Sequence, residues 1–369
     1  MSARAAVLVE KQRLEIEEFP LPEIAPDDGL LRLEACGLCG TDIELFDGAL
    51  EALGVPFSTI PGHEPVGIIE RIGAQAAERW GVAEGDRVVV EPLIGCGHCR
   101  SCLVGNYRLC TTTRPGTSVS GYSFIPTSVE PGLWGGYADY MYLDPNTVMH
   151  KVSNDLSPGL AALYQPIAAG IRWAAHAAGT KIGDTVVILG SGQRGLGAVV
   201  GAREAGAQKI IVTGLARDAH KLALAREFGA DATVVADEED TVERMLELTA
   251  GEGADVVLDV TAVSVEPVVH AIEIAKRGGT VLLAGMKGSG RTIPDFSTDT
   301  VIMKELSLKG MNGQDLRAYE PALRLIESRK YPLEKMATHS FPLEEAERAV
   351  LTLAARIPGQ ESISITVVP

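Results

Sequence analysis

The sequence is short of positive charge, short of cysteine and without long apolar runs, and each shortage removes a class of function. Lys and Arg number 33 against 49 Asp and Glu, a formal charge of −16. A nucleic-acid partner needs clustered Lys and Arg against its phosphates, and an anionic membrane surface needs the same. Neither is expected, and the excess acid serves solubility. No segment approaches the roughly 20 apolar residues of a membrane-spanning helix. The opening "MSARAAVLVEKQRLEIEEF" lacks the apolar core of a signal peptide and meets charge early, so a cytoplasmic protein is expected. There is no internal repeat and no low-complexity linker.

What is present is enough chain for more than one core. At 369 residues, with 46% apolar and 22% charged residues, two globular domains are expected. Up to about residue 150 the chain reads as short strands punctuated by Gly and Pro: "LLRLEAC", "PVGIIERIG", "DRVVVEP", "GYADYMYL". This pattern predicts a twisted, barrel-like β domain. From about residue 160 apolar strands alternate with helices: "DTVVILG", "GLGAVVGAREAGA", "KIIVTG", "HKLALAREFGA", "ADVVLDV", "TVLLAG". Buried strands alternating with helices predict a parallel sheet wound on both faces. The closing "SISITVV" reads as a strand able to rejoin the first domain.

Only six cysteines occur, and four of them fall in "GCGHCRSCLVGNYRLC". Cys96, Cys99, Cys102 and Cys110 have the spacing C-x2-C-x2-C-x7-C. In a reducing compartment such a cluster points to metal rather than disulfides. Short gaps let neighbouring thiolates converge, and the longer loop returns a fourth to close a tetrahedron. That suits zinc, and a site closed by four thiolates is structural, with no position left for substrate. A bacterial iron–sulfur motif would continue C-x3-C-P, which this loop does not.

"VVILGSGQRGLG" sets Gly190, Gly192 and Gly195 as G-x-G-x-x-G between a strand and a helix. There the first glycine makes the turn, the second admits a pyrophosphate and the third lets helix approach strand. Within a run of β/α alternations this predicts a bound dinucleotide. The end of the next strand decides between NAD and NADP: an acid favours the first, an Arg in its absence the second. Here Gly214 stands at that point and Arg217 three residues on, with Asp218 beside it, so the coenzyme form stays open between NAD and NADP.

"ACGLCGTD" and "PGHEPVG", followed by the four-cysteine loop and the nucleotide turn, resemble the zinc-dependent medium-chain alcohol dehydrogenase family, which includes sorbitol, threonine and glucose dehydrogenases. The resemblance runs nearly end to end. It implies an α/β protein with a GroES-like β-barrel catalytic domain over 1–165 and 306–369. A Rossmann coenzyme domain, a doubly wound parallel sheet, would occupy 166–305. It implies two zinc ions, one catalytic and one structural. Cys39 and His63 would hold the catalytic zinc, with Glu64 beside it and able to coordinate. Asp42 would accept a hydrogen bond from the His63 ring. Thr41 would bond the substrate oxygen and start a proton relay.

Two positions depart from the family pattern. The third zinc ligand, usually Cys, Asp or Glu, falls on Gln165 in "ALYQPIAAG". An amide oxygen can bind zinc but brings no charge, so either Gln165 or Glu64 would complete the site. Glu44 stands where many relatives have a relay histidine, and a carboxylate there could accept the proton. By the same resemblance Val260, Thr261, Ala284, Gly285 and Met286 would flank the nicotinamide.

The expected reaction is hydride transfer between an alcohol, secondary or polyol, and NAD(P)+. A nucleotide-binding protein without turnover and a zinc-independent NADPH reductase are the alternatives. Tyr122, Phe124, Leu133 and Trp134 could line a substrate pocket or pack in the interior. A homodimer or homotetramer is expected, with "VLLAG" (281–285) pairing edge to edge between subunits.

Overall fold

The computed structural model describes residues 2–112, 119–288 and 290–369. It divides into two compact units, Met1–Tyr164 with Met336–Pro369, and Gln165–Lys335. Among the described residues no helix is long and apolar enough to cross a membrane.

Among the described residues fifteen strands form in chain order. In the first unit these are β1 (Ser2–Glu10), β2 (Arg13–Pro20), β3 (Gly29–Gly37), β4 (Glu64–Ile72), β5 (Arg87–Val90), β6 (Tyr140–Leu143) and β7 (Met149–Lys151). The second unit holds β8 (Thr185–Leu189), β9 (Lys209–Gly214), β10 (Ala232–Val235), β11 (Ala254–Asp259), β12 (Ala275–Leu283) and β13 (Ser307–Gly310). The chain then returns to the first unit with β14 (Ala337–Pro342) and β15 (Ser364–Val368).

The first unit is a mostly antiparallel sheet, β14-β15-β3-β4-β5-β7, with β6 also on β3 and β1 pairing β2 as a hairpin. β3 and β4 share a long antiparallel register that pairs Gly37 with Glu64. Their ends therefore bring "CGLCGTD" and "GHEPVG" together. The closing strand behaves as its sequence predicts. β15 lies antiparallel to β3, with Val367 opposite Cys36, and Ile365 O accepts the N–H of Leu38 at 3.0 Å. The last residues of the chain thus hold the backbone one step before Cys39.

The second unit is a six-stranded sheet in the order β10-β9-β8-β11-β12-β13, parallel throughout. In its own strand numbers this is 3-2-1-4-5-6, the doubly wound dinucleotide-binding order, with the reversal between β8 and β11. Each unit has its own core: one runs from Ala3 and Leu31 to Trp134 and Val367, the other from Val187 and Ile211 to Val281.

Two expectations need correction. Residues 306–335, assigned from sequence to the catalytic domain, belong to the second unit because β13 adds to β12 as the sixth parallel strand. Nor can "VLLAG" offer a sheet edge. Its first three residues end β12, which is paired on both sides by β11 and β13, and the edges are β10 and β13.

Backbone contact fixes the packing under the nucleotide turn. The helix Tyr164–Gly170, continued by a π-helical stretch Ile171–Ala177, packs on the helix Gln193–Glu204. A Cβ on Gly170 would stand 1.9 Å from Gly197 O, and one on Gly197 would stand 2.1 Å from Pro166 O. No rotamer change relieves a clash with a carbonyl, so any side chain forces the helices apart. Gly170→Ala is expected to cost about 1–3 kcal/mol, read as a fall in the thermal unfolding midpoint, whereas Ala at the open Gly179 turn position should act only through its φ of 75°.

Candidate active site

Cys39 caps the N-terminus of a short helix, Gly40–Phe46, and its sulfur accepts the Thr41 N–H at 3.4 Å. Its Sγ lies 3.2 Å from His63 Nε2. Asp42, on the first turn of that helix, is fully enclosed. One carboxylate oxygen accepts the Cys39 N–H at 2.8 Å and the other the Gly62 N–H at 3.2 Å. The same carboxylate stands 3.6 Å from His63 Nδ1, an ion-pair distance rather than the expected hydrogen bond. Donor atoms of Cys39, Asp42 and His63 all lie within 4.8 Å of one another, and Glu64 is not part of that convergence.

The charge pattern asks for a cation. Burial alone would drive His63 towards neutrality, but the negative charges at Cys39 and Asp42 raise its pKa well above the ordinary imidazole value. Burial likewise opposes the Asp42 charge. His63 and the N–H groups of Cys39 and Gly62 outweigh it and hold the carboxyl below its usual range. A zinc ion with sulfur at about 2.3 Å and nitrogen at about 2.0–2.1 Å holds these two atoms about 3.5 Å apart. The pair needs to open by only a few tenths of an ångström, with the metal taking the place of the proton.

Glu64 opens β4 and is buried, its Oε2 only 2.8 Å from where a Cβ on Gly37 would be. Thr41 is partly exposed, and among the described residues its hydroxyl has no hydrogen-bond partner. Glu44 follows three residues later on the same helix, half-buried, so the two side chains neighbour one another on its surface. Phe124 is half-buried with its ring centroid 5.9 Å from that of His63. Tyr122, Leu133 and Trp134 are instead core residues.

In the second unit Gln165 is 1% exposed. Tyr319 Oη stands 3.2 Å from its Oε1 and 3.3 Å from Gln314 Oε1. Neither glutamine Nε2 has a hydrogen-bond partner among the described residues. One hydroxyl hydrogen serves only one of two carbonyl oxygens. Turning the Gln165 amide over lets Nε2 donate to Tyr319 and frees Oε1 as an oxygen donor.

The nucleotide turn has the geometry its glycines predict. Gly190 sits at φ 112°, a conformation L side chains avoid. A Cβ on Gly195 would lie 2.0 Å from Gly190 O. Gly192 faces open space and caps the twelve-residue helix Gln193–Glu204 without a side-chain cap, which leaves N–H groups for an anion. Gly214 ends β9. Arg217 is exposed, and among the described residues it has no ion pair. Asp218 is turned away into its own loop, accepting the Leu215 N–H at 3.4 Å and pairing with Lys221 at 2.7 Å.

The four-cysteine loop closes as drawn from its spacing. Sulfur–sulfur distances are 3.5 Å for Cys99–Cys102, 3.8 Å for Cys99–Cys110 and 3.9 Å for Cys96–Cys102. None is a disulfide. A tetrahedron with Zn–S of about 2.3 Å has edges of about 3.8 Å. The Cys99 N–H donates to Cys96 Sγ at 3.3 Å and the Cys96 N–H to Cys110 Sγ at 3.4 Å, as thiolates in such a cage require.

Comparison with known proteins agrees with both halves. The profile of the alcohol dehydrogenase GroES-like domain matches residues 25–154, and that of the zinc-binding dehydrogenases matches 195–328. A Mycobacterium tuberculosis protein named a probable alcohol dehydrogenase is 46% identical, over 99% of this chain and 98% of its own length. This chain belongs to the zinc-dependent medium-chain alcohol dehydrogenase family. An erythritol/L-threitol dehydrogenase of Mycolicibacterium smegmatis is 31% identical over 96% of this chain and 94% of that protein. Among solved structures, a zinc-binding dehydrogenase of Sinorhizobium meliloti bound to NADP superposes with a TM-score of 0.86 at 28% identity, covering 100% of both chains.

The protein is therefore an NAD(P)-dependent alcohol dehydrogenase with a GroES-like domain, a Rossmann domain, and catalytic and structural zinc. Sequence reasoning did not single out Tyr319, Gln314, Asp259 or Lys287. Tyr319 reaches Gln165, Gln314 competes for the same Tyr319 hydroxyl, and Asp259 and Lys287 pair at the carboxyl end of β11. Tyr319 meets Gln165, and Lys287 meets Asp259, across more than twenty residues, and Gln314 matters only through the orientation of one hydroxyl, for which no spacing signal exists. Metal analysis of the purified protein should give about two zinc ions per chain. Cys39→Ala should leave about one and no turnover. Cys102→Ser should also leave about one, with a lower thermal midpoint.

Proposed function

We propose that this dehydrogenase oxidises a secondary alcohol bearing an apolar group beside its carbinol carbon, prefers NADP, and runs the reverse reduction. Phe124 carries the substrate reading, since an apolar ring against His63 suits a hydrocarbon substituent better than a chain of hydroxyls. A polyol is the second reading, favoured by the erythritol/L-threitol relative. The NADP preference is supported by the absence of an acid at Gly214, by the exposed Arg217 and by the engagement of Asp218 elsewhere. Arg is suited to a 2′-phosphate.

As ligands of the catalytic zinc we take Cys39, His63 and the amide oxygen of Gln165, with Glu64 held in reserve. Zinc, when bound, supplies Lewis acidity that makes an alcohol proton easier to remove. The chain's own residues do the rest. Asp42 keeps the Cys39 and His63 loops together. The Thr41 hydroxyl takes the substrate proton and passes it along the helix surface towards Glu44. Gly190, Gly192 and Gly195 admit the pyrophosphate to the helix N-terminus. Val260, Thr261, Ala284, Gly285 and Met286 orient and shield the nicotinamide half, to which hydride passes. Cys96, Cys99, Cys102 and Cys110 hold the structural ion.

Initial rates on a panel of apolar secondary alcohols and of polyols, each with NADP and NAD, test this reading. The best kcat/KM should fall on an apolar secondary alcohol with NADP. Arg217→Ala should raise the KM for NADP on the order of tenfold and leave NAD unchanged. Polyols as best substrates would remove the apolar reading, and equal coenzyme use by both proteins would remove the NADP preference.

Assembly into a dimer or tetramer is part of the same proposal. The edge strand β13 exposes Leu308, and the preceding helix Thr298–Met303 exposes Ile302 and Met303 at 68% and 67%. Such a patch invites a second copy. Sedimentation should give a multiple of 39.0 kDa, and a single-chain mass at micromolar concentration would refute the assembly.

A further inference from the structure

At the carboxyl end of β11 lies an ion pair that neither the zinc chemistry nor the nucleotide turn uses. Asp259 is fully buried and the Lys287 side chain is 13% exposed, with Nζ 2.8 Å from Asp259 Oδ2. Asp259 Oδ1 accepts the Thr261 N–H at 3.0 Å and the Thr261 hydroxyl at 2.6 Å. Lys287 Nζ also donates to Thr261 O at 2.6 Å and Thr261 Oγ1 at 2.8 Å. Two ammonium hydrogens are thereby engaged, while Asp259 Oδ2 meets the ammonium as an ion pair without an aligned hydrogen bond.

The cluster sits at the edge of the coenzyme site. A Cβ on Gly190 would meet the Thr261 methyl at 3.1 Å, and one on Gly285 would meet Thr261 O at 1.9 Å. Thr261 therefore touches the pyrophosphate turn on one side and the chain leaving β12 on the other. In a doubly wound sheet the two halves of a dinucleotide lie over the two halves of the strand order, on either side of the reversal. The adenosine half belongs over β8–β10, where Gly214 and Arg217 are, and the nicotinamide half over β11–β13, where Asp259 and Lys287 are.

Stability does not account for the pair. A buried ion pair gains little over apolar side chains of similar size, because desolvation offsets the attraction. Its charge matters more for what binds beside it. The nicotinamide ring is positive in NAD(P)+ and loses that charge when it accepts hydride. A lone carboxylate beside it would favour the oxidised coenzyme, and a lone ammonium the reduced one.

Resting on the reading of the glycine turn as the dinucleotide site, we propose that Lys287 cancels the buried Asp259 charge and thereby sets the relative affinity for oxidised and reduced coenzyme. It acts on the bound coenzyme through its field and does not touch the reacting atoms. Neutralised, the pair's field favours neither redox form over the other.

The test is the ratio of the dissociation constants, oxidised over reduced. It is measured on the zinc-replete protein without alcohol, by NAD(P)H fluorescence and by competition with NAD(P)+. Lys287→Met should lower the ratio on the order of tenfold. Asp259→Asn should raise it, leaving the ammonium uncompensated, and the double variant should return to within about twofold of wild type. The opposite signs keep the test decisive if one single variant fails to fold, and Lys287→Arg should preserve the ratio. Equal ratios in all folded variants, or parallel weakening of both forms, would overturn the proposal and leave a merely structural pair. A wild-type protein that binds neither coenzyme would instead refute the dinucleotide site itself.

Discussion

The catalytic half of this protein depends on one buried carboxylate. Asp42 accepts N–H groups from Cys39 and from Gly62, residues that sit on different loops more than twenty positions apart. Those loops leave β3 and enter β4, whose pairing puts Gly37 opposite Glu64, but strand pairing alone does not bring a sulfur to within 3.2 Å of an imidazole. The carboxylate spans that last gap. It is stable while buried because it has two N–H donors and a nearby ring that carries or shares positive charge. Losing it would leave buried donors unpaired in both loops at once. The metal site is thus an outcome of backbone hydrogen bonding before it is an outcome of metal affinity.

A similar economy of backbone runs through the coenzyme unit. Gly170, Gly195 and Gly197 stand where a carbonyl lies about 2 Å from the position of a Cβ, so helix meets strand and helix meets helix with no side chain between. That close packing brings the start of the helix Gln193–Glu204 against the end of β8. An anion can then be met by N–H groups there. The sheet order supplies the rest: reversal between β8 and β11 opens the space over their carboxyl ends. Asp259, Thr261 and Lys287 close it on the β11 side with a hydrogen-bonded, charge-paired cluster.

Much of this was legible in the residues. The glycine spacing, the alternation of apolar strands with helices and the cysteine spacing each follow from a local rule about how few residues can turn, pack or converge. The parallel sheet, the turn at Gly190 and the four-sulfur cage all appear as those rules predict. The domain boundary was not legible. Whether 306–335 joins one unit or the other depends on β13 finding β12, a pairing no local pattern announces. The free sheet edge was missed for the same reason, since an apolar run such as "VLLAG" reads alike in a central strand and in an edge strand. Tyr122, Leu133 and Trp134 looked equally apt for a pocket, and only burial separated them from Phe124.

By itself the sequence determined the kinds of chemistry available: soft ligands at Cys39 and His63, a thiolate cage, a phosphate turn, and no acid at Gly214. These depend on residue type and short spacing, which folding does not alter. Tertiary structure alone decided which groups act together. It turned Asp218 into its own loop, aimed Tyr319 at the Gln165 amide, set Phe124 against His63 and joined Lys287 to Asp259. Each of those choices is made by a hydrogen bond or a packed contact between distant segments. Their free energies exist only once the segments have met, so no reading along the chain can contain them.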